Sequence, residues 1–437
     1  MQLPVKQKYF ILMTIFVTAY PFMVFPLFNI YYASFIKLLY LSLFTFVMWY
    51  FLIFQSVKEK RFPGIIQTRG ERLAALFLFI ICLSTLFSTD PLVSSFGGEY
   101  KFQGLLAWFS YISLFLFTYN LVPINKQFNI IRMVVFASFF VGVYGILQHY
   151  YLAVMTGEQV ESSFVRSWST FDNPNYFGTY LVILMILAMT LFLSAKKLGE
   201  SFIYWVIVST LFLAILFTAT RGAWIGEFSG MIILTVLLVW KRRDIWRKWT
   251  FLVLSLFFLL FIVDLTENNF FTSRVISIGN DAESVILNEG ENGDAGAGRW
   301  RIWKTSIPFV KEHFLIGSGP STFSIEFPSR INEEGEYVSS KKFDNSHNEY
   351  LETAITMGIP ALLVYIALMV TVLKSGLVAA KHFEGDQEIV AYGLIAAICG
   401  YLVQTFFNIS VVTVAPFFWV VLGMSYAVSM RVRNKTE

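Results

Sequence analysis

A chain of 437 residues in which 56% are hydrophobic and only 14% charged is not an ordinary soluble domain, where roughly a quarter of residues carry charge. The mean hydropathy of +0.63 places it in a membrane. The formal charge of +4 points to no partner and implies no nucleic acid, and the two cysteines, Cys82 and Cys399, sit inside apolar runs as inert thiols rather than as a disulfide or metal set.

Runs of apolar residues predict an all-α polytopic protein with about twelve transmembrane helices. They fall near 9–28, 37–55, 72–88, 104–121, 130–149, 175–194, 201–219, 223–240, 249–266, 347–373, 388–407 and 410–429. The connections before 223 and 410 are short enough to predict two helical hairpins. The first run is long enough to span and lacks a small-residue cleavage site, so no signal peptide is expected. This divides the chain into helices 1–9 (1–266), a long loop (267–346) and helices 10–12 with a short tail (347–437).

The sorting of charge orients the helices. With the N-terminus inside, most of the 33 lysines and arginines fall in inner segments, among them Lys58-Glu59-Lys60-Arg61, Lys196-Lys197 and Lys241-Arg242-Arg243. The short outer loops are poor in both, as the positive-inside rule requires. Both termini are then expected in the cytoplasm and the 267–346 loop outside.

Taken in order, the outer side offers several candidates. Pro21 and Pro26 would kink the outer end of the first helix. The loop STDPLVSSFGGEYKFQG, with Asp90, Glu99 and Lys101, reads as a turn or as a substrate-facing surface. In SFVRSWSTFDNPNYFG, Asn173-Pro174-Asn175 breaks the chain before the sixth helix, with Asn175 placed to cap it. Arg166 is either a plain surface arginine or a ligand for an anion. Arg221, in the tight turn TATRGAW, is a snorkelling residue or a functional one, and Glu227 follows inside the eighth helix, where ionisable groups are usually functional.

The outer loop opens acidic and Gly-rich and then reads GRWRIWKTSIPFVKEHF, where Trp300, Trp303, Ile307, Val310 and Phe314 recur at spacings of three and four. That pattern predicts a short amphipathic helix lying on the membrane or capping the bundle, with Arg299 at its start. The Glu-x-Glu pairs Glu289/Glu291 and Glu334/Glu336 lie in the acidic stretches, and no Cys/His cluster has ligand spacing, so neither metal nor other cofactor is expected.

Of the four histidines, His313 and His382 have simple structural readings, and His149 ends the fifth span at the outer interface, where it is a candidate for a minor site role. His347 differs. It lies in DNSHNEYLETAITMGIP, where Ser346 and Glu349 have capping-box spacing at the head of a helix predicted to run on to about Leu373, ~40 Å at 1.5 Å per residue. A positive helix end would keep the imidazole neutral and able to accept a proton; a satisfied structural histidine is the alternative. Arginine forks suit phosphate and diphosphate. A charge-neutralised diphosphate is a good leaving group, and a neutral histidine could deprotonate an attacking hydroxyl.

The four motifs RSWSTFDNPNYFG, TATRGAWIG, GRWRIWKTSIPFVKEHFLIGSGPSTF and DNSHNEYLETAITMGIPAL, in this order, resemble the O-antigen ligase and polymerase superfamily. It includes O-antigen ligases, Wzy-type polysaccharide polymerases and bacterial O-oligosaccharyltransferases. The resemblance is strongest over about 160–375. It implies a GT-C-like membrane glycosyltransferase that moves a glycan from undecaprenyl diphosphate to an acceptor hydroxyl, without metal, on the outer face of a bacterial plasma membrane. By motif, His347 would be the general base and Arg221 and Arg299 would hold the diphosphate. Arg166, Asn175 and Asn348 are further candidate contacts. The partners implied are a lipid-linked oligosaccharide donor, a glycan or lipid-linked acceptor and the bilayer. A polymerase is favoured over a ligase acting on lipid A or a wall polymer. A polysaccharide flippase is the alternative of another class, since twelve spans with both ends inside is also a transporter count.

Overall fold

The computed structural model describes residues 5–24, 33–60, 66–98, 101–150, 166–239, 242–286, 299–327 and 343–436. Pro26, Glu99, both Glu-x-Glu pairs and most of the acidic Gly-rich stretch lie outside the described residues. Among the described residues all regular structure is helical. In chain order the helices are α1 (Val5–Ala19), α2 (Ala33–Glu59), α3 (Arg69–Leu86), α4 (Pro91–Phe96), α5 (Leu105–Leu121) and α6 (Ile124–His149). There follow α7 (Pro174–Ser194), α8 (Leu198–Phe217), α9 (Arg221–Val239), α10 (Trp246–Thr266), α11 (Phe270–Ile286) and α12 (Arg299–Glu312). The chain closes with α13 (Phe323–Glu326), α14 (Glu349–Thr356), α15 (Ile359–Ala380), α16 (Asp386–Gln404) and α17 (Ala415–Thr436).

Each of the twelve expected stretches overlaps one or two helices, with bounds that differ from those expected. Among the described residues eight helices, α2, α6–α10, α15 and α16, are long and apolar enough to cross a membrane. Helix α5 and the stretch Ala415–Ser429 of α17 are apolar but shorter.

The centre of the bundle is α7, buried at every position from Phe177 to Ser194. A helix hydrophobic all round belongs inside, and α7 is enclosed by α6, α8, α9 and α16. The tightest crossing is between α9 and α16. A Cβ on Gly226 would stand 2.6 Å from the Gln404 Cβ, and one on Gly400 would stand 3.0 Å from the Gly226 carbonyl oxygen. Small residues let two backbones approach where no hydrophobic gradient drives them together. Gly226→Val is expected to cost about 1–3 kcal/mol by overpacking, read as a lower Tm of the solubilised protein; an unchanged Tm would contradict this crossing.

Three sequence expectations need correction. The predicted helix 347–373 is two helices, α14 and α15, separated at Met357-Gly358. Gly358 adopts φ +89, and a Cβ there would stand 2.7 Å from the Leu315 carbonyl oxygen. Pro360 then opens α15, so the break combines a left-handed glycine with a proline in the first turn. The expected hairpin before 410 is a longer non-helical connector, residues 405–414, because polar Asn408, Ser410 and Thr413 are buried there and bond outside a helix or stay unpaired. Cys82 is exposed on the outside of α3 rather than buried.

The connections the sequence places on one side do meet in space. At one end of the bundle Arg166 bonds the Thr218 carbonyl, Thr89 the Ser318 carbonyl, Trp303 the Ser346 carbonyl and Glu349 the Thr405 carbonyl. At the other, Lys196 pairs with Asp386 at 3.0 Å and Arg242 donates to the Gly385 carbonyl.

Candidate active site

His347 stands just before α14, not in its first turn. Asn348 is the N-cap: its Oδ1 accepts from the backbone N–H of Tyr350 and of Leu351, both at 3.0 Å. The Ser346–Glu349 capping box does not form. Instead the Ser346 N–H donates to Glu352 at 2.8 Å, and Glu349 turns inward to accept from the Ser410 N–H. An Asx turn, with the His347 N–H donating to Asn345 Oδ1 at 2.7 Å, holds His347 at φ +51. Positive φ is uncommon outside glycine and tends to mark functional sites. Trp303 Nε1 donates to the Ser346 carbonyl at 2.9 Å and ties α12 to this turn.

The electrostatics of His347 agree with the expected neutral imidazole but have another leading cause. Burial pushes its pKa down to about 4, with Arg299 and Lys101 acting in the same direction and Asp344 opposing them. Nδ1 is shielded from solvent and has no hydrogen-bond partner among the described residues. Lys101 is itself buried and pairs with Asp344, Nζ to Oδ2 at 2.6 Å and Nζ to the main-chain oxygen at 2.9 Å. The loop that reads as a turn thus supplies a cation next to the histidine.

Helix α12 forms where expected, with its buried face one position off. Ile302, Ser306 and Phe309 face in and pack on Phe323, Phe327 and Ile355, whereas Ile307 is 53% exposed. The offset arises because α12 packs on α14 on one side and leaves Ile307 and Phe314 outward. Its N-terminus carries Arg299 to His347.

The second cluster surrounds the head of α7. Asn173, not Asn175, caps that helix, its Oδ1 accepting from the Asn175 N–H at 2.8 Å. Asn175 Oδ1 instead accepts from Arg166 Nη2 at 3.3 Å and lies 3.3 Å from the Thr220 hydroxyl. Arg166 Nε donates to the Thr218 carbonyl at 2.9 Å. Burial lowers the Arg166 pKa to about 10, with Arg274 adding to the shift, so it stays cationic at neutral pH. Arg221 Nη1 donates to Ser277 on α11 at 3.1 Å, and Arg221 lowers the pKa of Arg274 after burial has done so. Arg166, Arg274 and Arg221 therefore repel one another in a chain across one surface, an arrangement that a bound anion would relieve. Sequence reasoning missed Arg274; the signal available was a basic residue in an outer segment.

The connector 405–414 joins the clusters. Phe406 stacks edge-on to Trp303 at 5.3 Å, Phe407 lies against Gly222, and Asn408 donates to Thr179 at 3.2 Å. The connector thus touches α12 through Phe406 and the head of α9 through Phe407. Glu227 does not join them: it is buried, and neither carboxyl oxygen has a partner among the described residues.

The other histidines behave structurally. His149 stacks on Phe217 at 4.0 Å, His313 lies 3.4 Å from Glu326, and His382 is exposed. Among the described residues no group of three or more His, Cys, Asp or Glu is placed to hold a metal ion.

No curated protein matches the chain. The family model described as O-antigen ligase matches residues 206–366, a segment that contains Arg221, Glu227, Arg299 and His347 and leaves out Lys101, Arg166, Asn175 and the 405–414 connector. With its apolar helices the chain is a multi-pass membrane protein, and over residues 206–366 it is similar to the O-antigen ligase family.

Proposed function

We propose that the protein is a glycosyltransferase that takes a glycan from undecaprenyl diphosphate at the outer face of a bacterial plasma membrane and joins it to an acceptor hydroxyl, polymerising polysaccharide repeat units. The observation that carries this reading is an imidazole held neutral by burial and by Arg299, with its Nδ1 unpaired among the described residues. The acceptor oxygen forms a bond to the anomeric carbon as the bond from that carbon to the diphosphate oxygen breaks. The hydroxyl proton passes to His347, and the electron pair leaves with undecaprenyl diphosphate. Arg221 and Arg299 neutralise the charge developing on that leaving group. A bound diphosphate beside Arg299 would offset the cations that hold the imidazole low, raising its basicity when the substrate is in place. The twelve-span topology, with both termini cytoplasmic and the His347 end outside, accords with the positive-inside sorting of the loops.

The test uses full-length protein in nanodiscs, which have no second compartment, with an undecaprenyl-diphosphate repeat oligosaccharide. A ladder of longer glycans with released undecaprenyl diphosphate is expected. A protein that moves the same lipid across liposomes but makes no ladder would be a flippase.

A further inference from the structure

A cavity of about 770 Å³ opens on the side of the bundle where α15 packs on α3 and α17. Its size falls within the range for small-ligand sites. Helix α3 leads at its far end to Thr89, which bonds the Ser318 carbonyl, and α15 starts just after α14. Arg69, which opens α3, and His382, just beyond α15, therefore lie at the end of the bundle away from His347. Tyr426 of α17 lines the cavity, and its hydroxyl accepts from the Gly70 N–H at 3.0 Å. A Cβ on Gly70 would stand 2.6 Å from the tyrosine ring, so the glycine lets α17 close onto the head of α3 and gives the cavity a fixed wall.

The lining is sorted by polarity along α15. Leu363, Ile366, Val370 and Val378 are exposed and recur on one face at helical spacing. Lys374 and His382 share that face, and Arg69 joins them from the head of α3. All three are exposed, and none has an ion pair or a side-chain hydrogen bond among the described residues. Among the described residues no carboxylate lines the cavity. Glu71, in the same turn as Arg69, is buried and engaged elsewhere: it closes a capping box with Thr68 and accepts from Asn120 at 2.8 Å. Arg69 sits in the first turn of α3, where the helix dipole disfavours a cation. The hydroxyls of Thr371 and Ser429 bond their own helices, at 2.7 Å and 2.6 Å. The basic groups are thus left to bind a ligand, and they call for an anion.

From Leu363 to Lys374 the face of α15 runs ~16 Å at 1.5 Å per residue. That is about half of a ~30 Å hydrocarbon core, one leaflet, and lysine reaches on toward the interface by snorkelling. A soluble phosphate would leave the apolar wall unused, and a polyprenyl chain is longer than the face. An apolar groove one leaflet deep that ends in basic groups matches a glycerophospholipid with an anionic headgroup.

We propose that this cavity binds one anionic phospholipid, its phosphate held by Arg69, Lys374 and His382 and an acyl chain laid along the Leu363–Val370 face of α15. Basic pockets between membrane helices take such headgroups. In the orientation expected from charge sorting, the lipid belongs to the inner leaflet. The site stands apart from the His347 end and does not depend on the proposed glycosyl transfer.

The test titrates the full-length protein, purified in detergent and stripped of lipid, with phosphatidylglycerol or with phosphatidylcholine of the same acyl chains, and counts bound lipid by native mass spectrometry. The wild type is expected to take up one phosphatidylglycerol saturably and to prefer it by about 25-fold, roughly fivefold for each of Arg69 and Lys374. Arg69→Gln combined with Lys374→Gln should lose that preference and still bind phosphatidylcholine as weakly as the wild type. Val370→Trp fills the groove from an exposed position and keeps the basic groups; it should lower phosphatidylglycerol uptake about fivefold or more. Equal binding of the two lipids by the wild type overturns the proposal, as does uptake that rises without saturating. A preference that survives the double substitution, or uptake unchanged in Val370→Trp, also overturns it. Tighter uptake of undecaprenyl phosphate than of phosphatidylglycerol, lost in the same variants, overturns it in favour of a polyprenyl carrier.

Discussion

His347→Ala is expected to abolish glycan transfer while the protein still inserts and keeps its Tm. General-base catalysis contributes about 10²–10⁴-fold, and Nδ1 of the proposed base has no competing partner among the described residues. The fold should tolerate the change because the turn around residue 347 is held by other groups. Asn345 accepts the main-chain N–H of residue 347, Trp303 and Glu352 fix Ser346, and Asn348 caps α14. Alanine at φ +51 would carry a small backbone cost. His347→Asn, which tolerates that conformation, is the matched control and should be equally inactive. Normal transfer in either variant, measured as glycan ladder length in nanodiscs, would remove His347 from the chemistry.

The second large effect belongs to the arginines. Arg221→Ala and Arg299→Ala should each lose about 1.5–3 kcal/mol of charge-assisted binding to the diphosphate, roughly 10- to 100-fold in kcat/KM for the lipid-linked donor. Lysine should restore little, since it lacks the bidentate fork. Arg299 adds a pH signature. His347 works as a base only when neutral, so kcat/KM is full above its pKa and falls as the pH drops through it. Arg299 helps hold that pKa low. Arg299→Gln should therefore move the acidic limb to higher pH, while Arg221→Gln should not. A limb that stays in place, or moves down, would show that Arg299 does not act on the histidine.

Much of the candidate site was legible because its residues lie in short motifs. Arg221, Arg299 and His347 could each be picked out by position relative to a helix end, and charge sorting alone brought the right connections to one end. What was not legible depends on distant residues. Lys101 reaches Asp344 from a loop 243 residues earlier in the chain, and nothing local marks it as more than turn composition. Glu349 has the spacing of a capping box, yet its carboxylate is drawn away by the Ser410 N–H on the 405–414 connector. Asn348 takes over the cap. The break at Gly358 did leave a trace, a glycine two residues before a proline, but the apolar run continues across it and hides it from a hydropathy reading. The face of α12 was misjudged for the same reason: helical spacing gives periodicity, and the partner helix decides which side is buried.

Chemical rescue addresses the central claim, that His347 takes the proton of the acceptor hydroxyl. His347→Ala in nanodiscs is given the lipid-linked oligosaccharide and increasing imidazole. A saturable return of glycan transfer is predicted, with a rate that rises with pH as the added imidazole becomes neutral. A variant that still binds donor with wild-type affinity but gains no transfer at any imidazole concentration or pH, while His347→Gln retains activity, would contradict it.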